Sequence, residues 1–295
     1  MNTSIKTQSK RVRRIAYGEH EDQFGDLRLP DGKGPHPVAI VIHGGFWRAK
    51  VQLDHMNKLV EAITDLGIAT WNIEYRRVGQ TGGGWPGTFL DSALAADFVR
   101  TLAQTYPLDV DRIFAIGHSA GGHLALWLAG RHKLPQDSVL KNSDKHLRLK
   151  GAISLAGVCD LELMHDIHKL REKIMGISEN PTFDLIGGTP KELQSRYEQG
   201  SPIALLPLGI PLVLIHGALD INVPIGVSEH FEKAAIAAGD QIVFWPLTKA
   251  EHFKLIDPMA DEWSVVKASI QRLLNQNGAD QNGYERIEPI ANDHR

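Results

Sequence analysis

Five residues, Gly117-His118-Ser119-Ala120-Gly121, constrain this chain more than any other feature. They follow the apolar run Arg112-Ile113-Phe114-Ala115-Ile116 and open a stretch of helical character, residues 120–128. A strand, a sharp turn and a helix with serine at the apex form a nucleophile elbow. Small residues flank the serine because the chain folds back tightly there, and glycine tolerates dihedrals that a Cβ forbids. The serine hydroxyl then stands above the sheet, beside N–H groups at a helix start. A Gly/Ser-rich turn without chemistry could show the same five letters. The strand before it and the helix after it favour a nucleophilic Ser119.

The rest of the chain supplies the sheet that such a turn needs. Short apolar runs at 38–43, 69–75, 112–116, 151–155, 212–216 and 242–246 read as parallel strands covered on both faces. Segments 54–66, 88–105, 120–131, 225–238 and 262–274 have helical spacing and lie between or after them. The alternation predicts an α/β fold, a doubly wound, mostly parallel sheet with helices on both faces. Residues 17–29 add one or two antiparallel strands at the edge.

Residues 160–207 break the rhythm with two helical stretches, 161–175 and 191–199, separated by Gly187-Gly188-Thr189-Pro190. An insertion of this size at a site rim commonly serves as a cap, and ordinary packing against the sheet is the plainer reading. The expected organisation is a basic arm over residues 1–16, one domain over 17–275 carrying the small helical cap at 160–207, and a polar, disordered tail over 276–295. The arm carries Lys6, Lys10, Arg11, Arg13 and Arg14.

The formal net charge of −3 gives no global field that would recruit nucleic acid or an anionic membrane. A single cysteine, Cys159, permits no intramolecular disulfide. With no signal-type apolar segment and no membrane-spanning run, a cytoplasmic location is expected.

A serine hydroxyl needs a base, and a histidine base needs a carboxylate to fix its tautomer. In an elbow fold the chain order is Ser, then Asp or Glu, then His, each just beyond a strand end. Asp220 lies in the loop after 212–216, and His252 lies in the loop after 242–246. Alone, Asp220 would be a turn cap and His252 a solvated loop residue. Found in order behind the elbow, they read as acid and base. Asp160 stands one strand too early and Glu251 too close in sequence to His252 to be preferred.

Acyl transfer also needs N–H donors for the developing oxyanion. Ala120 supplies one, and the loop His43-Gly44-Gly45-Phe46-Trp47 after the first long strand is placed to supply more. His43, His118 and His123 lack metal-ligand spacing. Trp47, Tyr75 and Trp85 are candidates for the substrate pocket, with core packing an equal reading. Arg76 and Arg77 could hold a substrate carboxylate, although structural ion pairs are the simpler reading.

The set His43-Gly44-Gly45-Phe46-Trp47, Gly117-His118-Ser119-Ala120-Gly121-Gly122-His123, Asp220 and His252 resembles the α/β-hydrolase superfamily. Within it, the chain resembles the esterase and kynurenine formamidase-like branch, related to the hormone-sensitive-lipase type. The stretch Leu185-Ile186-Gly187-Gly188-Thr189 and the pair Ser201-Pro202 are similar to catalytic domains of the prolyl-oligopeptidase group. The resemblance covers about residues 20–275 and implies oxyanion donors at Gly45 and Phe46. Many lipase-type relatives have glycine where this chain has Phe46.

The reading is a serine hydrolase that cleaves small carboxylic esters through a Ser-His-Asp triad, with no metal or organic cofactor. An arylformamidase acting on N-formylkynurenine is the alternative, and a non-catalytic ligand receptor is the rival of another class. The expected partner is a small-molecule ester or amide, with neither nucleic acid nor membrane, and a homodimer stays open.

Overall fold

The computed structural model describes residues 12–141, 143 and 145–275. Eight strands form one sheet in the order β1-β2-β4-β3-β5-β6-β7-β8. They are β1 (Arg13–Ala16), β2 (Phe24–Arg28), β3 (His36–Ile42), β4 (Ala69–Ile73), β5 (Leu108–His118), β6 (Ala152–Leu155), β7 (Leu212–Gly217) and β8 (Ile242–Leu247). β1 and β2 run antiparallel at one edge, and β4 to β8 pair in parallel through β3.

Nine α-helices accompany the sheet among the described residues: α1 (Asn57–Asp65), α2 (Gly87–Asp97), α3 (Val99–Leu102), α4 (Ala120–Gly130), α5 (Leu161–Met175), α6 (Pro181–Ile186), α7 (Gln194–Gly200), α8 (Gly226–Ala238) and α9 (Trp263–Asn275). Strand alternation explains the layering. Val38, Ile40 and Ile42 of β3 join a core that includes α2, α4 and α8 side chains. Ala39 and Val41 point the other way, into a second core with Leu59, Val60 and Ile63 of α1 and Val266 and Ile270 of α9. Every residue of α4 is buried, so the helix behind the elbow has no polar face.

Sequence and structure differ at three places. Residues 13–16, expected as part of a solvated arm, form β1. Arg14 pairs with Asp26 at 2.8 Å and lies over the Phe24 ring. Charged residues suit an edge strand because they discourage further pairing, which is why its sequence reads as a solvated arm. The segment 88–105 is divided at Phe98 between α2 and α3. A third helix, α6, stands in the insertion where only two were expected. Asn180 caps it by accepting from Phe183 N, Pro181 starts it, and Gly187 at φ 87° ends it. The expected tail, 276–295, and Lys6, Lys10 and Arg11 lie outside the described residues.

Candidate active site

Ser119 follows the last residue of β5 and precedes α4, with φ 56° and ψ −119°. A non-glycine residue in this region is strained and persists only where its surroundings hold it. Here the Ser119 N–H donates to the Leu155 carbonyl of β6 at 2.8 Å. The flanking glycines are required by close approach. A Cβ on Gly117 would lie 2.0 Å from the Gly121 carbonyl oxygen, and one on Gly121 would lie 2.1 Å from the Ile42 oxygen. Helix α4 therefore passes its own strand and β3 at distances that no side chain survives.

Asp220 and His252 come together beyond the ends of β7 and β8. His252 Nδ1 lies 2.5 Å from Asp220 Oδ2, and both residues are buried. The other carboxylate oxygen accepts the N–H groups of Asn222 and Val223 at 2.8 and 2.9 Å. His216, at the end of β7, lies 3.2 Å from Oδ2 through Nε2, and its Nδ1 lies 2.7 Å from Ser228 Oγ. Burial works against the Asp220 charge. The hydrogen bonds from His216 and His252, the His252 charge and the Val223 N–H outweigh it and hold the carboxyl below the usual range.

His216 is a member of the candidate site that the sequence reading missed. Its signal was position, a histidine at the C-terminal end of a strand four residues before the acid.

The rival carboxylates are engaged elsewhere. Asp160 caps α5 by accepting from Leu163 N at 3.1 Å and lies 3.6 Å from His230. Glu251 accepts from Phe253 N at 2.9 Å, capping the short turn that begins at His252.

The loop after β3 is held from several sides. Phe46 and Trp47 both have positive φ, at 50° and 56°. No acceptor among the described residues takes the N–H groups of Gly45 or Phe46. His43 Nε2 lies 2.8 Å from Glu74 Oε1, and its ring stacks on Tyr75 with centroids 4.4 Å apart. Burial opposes the Glu74 charge. His43, by charge and hydrogen bond, and then Arg77 outweigh it and keep that carboxyl below its ordinary value. Ala120, the third expected donor, is the first residue of α4.

The aromatic candidates fall into two groups. Trp47 and Tyr75 are wholly buried. Trp47 Nε1 donates to His123 Nδ1 at 3.2 Å, and the Tyr75 hydroxyl donates to the His43 carbonyl at 3.0 Å. Both therefore brace the loop from inside, the packing reading that the sequence had left level with a pocket role. Trp85 is half-buried, packs edge-on against Phe89 and lies under the Arg196 guanidinium. It borders a surface groove of about 870 Å³ that none of Ser119, Asp220 and His252 lines. Arg76 forms three hydrogen bonds with Asp91, two through its guanidinium and one through its backbone N–H, and Arg77 pairs with Asp22 and Glu74.

The insertion leans on the same loop. The His168 ring of α5 meets Phe46 edge-on at 5.3 Å, and Arg48 pairs with Glu179 and Asp184. Burial, and then the nearby Arg171 charge, lower the His168 pKa to about 4, so this ring is neutral against the Phe46 face. Among the described residues no helix is long and apolar enough to cross a membrane.

The BD-FAE family model matches residues 26–235, most of the chain. The chain belongs to the BD-FAE family. A probable isoprenylcysteine alpha-carbonyl methylesterase of Oryza sativa subsp. japonica is 25% identical over 291 residues, covering 95% of this chain and 67% of that protein. The kynurenine formamidase of Danio rerio is 22% identical over 286 residues, covering 88% and 83%. The versiconal hemiacetal acetate esterase of Dothistroma septosporum is 28% identical over 178 residues, covering 59% of this chain. The chain spans 51% of that esterase and 52% of an Arabidopsis thaliana methylesterase.

Among solved structures, a truncated carbohydrate esterase from gut microbiota superposes with a TM-score of 0.75 at 20% identity, covering 88% of this chain and 94% of that one. The propionate-bound esterase Est2 of Thermogutta terrifontis gives 0.70 at 20% identity, covering 92% and 97%. The superpositions show that the chain shares the fold of these two esterases, and the related proteins carry the names of esterases and of a formamidase.

Proposed function

We propose that this BD-FAE chain is a serine hydrolase that cleaves small carboxylic esters through an acyl-enzyme. The observation that carries the reading is the buried 2.5 Å contact between His252 Nδ1 and Asp220, beyond the strand ends that follow the strained Ser119. With Nδ1 donating to the carboxylate, Nε2 is the lone-pair nitrogen of His252 and the one able to accept a proton. Ser119 Oγ attacks the ester carbonyl while His252 Nε2 takes its proton. Asp220 holds the resulting imidazolium. N–H groups of Gly45, Phe46 and Ala120 receive the oxyanion. His252 then protonates the leaving alcohol, and water activated by the same nitrogen releases the acid.

A second reading, hydrolysis of an N-formyl aryl amide, draws support from the Danio rerio relative, which matches over most of both chains. The same residues would serve. Turnover of p-nitrophenyl acetate, propionate and butyrate against N-formylkynurenine separates the two: ester turnover with no formamide turnover is the expected result, and the reverse would replace the first reading by the second. Ser119→Ala should lower kcat on the order of 10⁶-fold. It should also abolish labelling by a fluorophosphonate while leaving the unfolding midpoint unchanged. Residual turnover above a few per cent in contaminant-free protein would remove Ser119 from the mechanism.

A further inference from the structure

Resting on the reading of Ser119, Asp220 and His252 above, we propose that His118 is a positioning residue for the base. It acts as a neutral imidazole whose Nε2–H holds the main chain of His252 while its ring supports the His252 ring. His118 Nε2 lies 2.9 Å from the His252 carbonyl oxygen, across 134 positions of sequence. A carbonyl only accepts, so the hydrogen is on Nε2 and Nδ1 keeps its lone pair. The two imidazole rings lie 4.4 Å apart at 51°. His118 is 1% exposed, and its Nδ1 is buried without a hydrogen-bond partner.

The same side chain reaches the third part of the site. A Cβ on Gly44 would lie 2.8 Å from the His118 carbonyl oxygen and 3.2 Å from its Nδ1, so His118 packs against the turn of the oxyanion loop. It also directly precedes Ser119. One residue thus touches the turn that bears the nucleophile, the loop that bears the donors and the backbone that bears the base.

The need for such a clamp follows from geometry. Asp220 fixes one end of the His252 ring, and a single hydrogen bond lets a ring pivot about it. A misplacement of about 1 Å in a catalytic group costs on the order of 10²-fold in rate. The His118 bond fixes the backbone from which the ring hangs, and the ring contact limits its tilt. Neutrality is part of the arrangement, because a second proton would sit on Nδ1, which faces no acceptor, beside the imidazolium that His252 becomes. The titratable groups around His118 are His252, His55 and Asp220. Burial first, and then the His252 charge, keep His118 in the neutral form.

Two variants and one spectrum test this. His118→Phe keeps an aromatic ring and loses the donor, whereas His118→Gln places an amide N–H near the Nε2 position. With p-nitrophenyl acetate, His118→Phe should lower kcat on the order of 10- to 100-fold with KM within about twofold, and His118→Gln should recover most of that loss. Wild-type kcat in His118→Phe, or an equal loss in both variants, would overturn the hydrogen-bonded clamp. In ¹⁵N-histidine spectra of the wild-type protein, His118 should show the Nε2–H tautomer unchanged from about pH 5 to 9. A titrating His118, or an Nδ1–H tautomer, would overturn the proposal even if the phenylalanine variant did not fold. A wild-type protein with neither ester turnover nor fluorophosphonate labelling would instead defeat the esterase reading, and the spectrum would still decide the clamp.

Discussion

Asp220 accepts more hydrogen bonds than the orientation of a base requires. Two backbone N–H groups and two imidazoles converge on one buried carboxylate. Asp220→Asn should cost roughly 10⁴-fold in kcat, because the amide favours the wrong His252 tautomer. Asp160→Ala should leave kcat nearly unchanged and cost about 1 kcal/mol of stability through the lost α5 cap. A larger kcat loss at Asp160 would reverse the assignment of the acid.

The same carboxylate makes stability depend on acid. Its folded-state pKa lies below that of an ordinary aspartate, so the unfolded chain takes up the proton first as pH falls. The stabilisation is complete above about pH 4 and is lost as pH drops toward the folded-state value. The stability gap between wild type and Asp220→Asn, from urea unfolding at stepped pH, should shrink over that acid range and stay constant above it.

At this scale the sequence was legible where chain order carried the information. Ser119, Asp220 and His252 follow the order of an elbow fold, and each was placed beyond a strand. His216 was not legible, because a histidine ending an apolar strand reads as core. Trp47 and Tyr75 were ambiguous for the converse reason, since an aromatic beside an active-site loop looks the same whether it braces the loop or meets a ligand.

At the scale of elements, the elbow is the most tightly specified segment. Gly121→Ala would put a methyl 2.1 Å from the Ile42 oxygen, so α4 or β3 must shift. Overpacking of this kind costs about 1–3 kcal/mol and often more where backbone is struck. Activity should fall further than stability, because the shift moves Ser119 and Ala120 together. Thermal unfolding alongside kcat on p-nitrophenyl acetate checks this, and unchanged kcat with lowered stability would show that the site tolerates the displacement.

Helix α6 shows what element reading lost. Its six residues are too few for apolar periodicity to register, and its signals were punctuation alone: Asn180 as cap, Pro181 at the first position, Gly187 as stop. The cap also binds its surroundings, with Asn180 Nδ2 donating to the His165 carbonyl at 3.1 Å. The parallel strands were the easiest elements to read, since burial on both faces leaves them almost wholly apolar. β1 was the hardest, because an edge strand of arginines carries no such run.

At the scale of the molecule, one sheet separates two apolar cores, and the single thiol is deep in the larger of them. Cys159 is fully buried, and burial pushes its pKa up to about 12. It should therefore resist Ellman's reagent in the native protein, and its labelling rate should track global unfolding as urea is added. Rapid labelling without denaturant would mean that this core opens locally.

The crossing order of the sheet has a temporal side as well. The strand that leads into the base is the last to be made and pairs only at the sheet's far edge. The hydrogen bond that joins the elbow to the base spans 134 positions. A ribosome adding about 5–20 residues per second needs on the order of ten seconds to cover that interval. Throughout it the nascent chain carries its serine without the histidine that would arm it. On the proposed mechanism, the emerging polypeptide gains reactivity toward esters only when β8 docks.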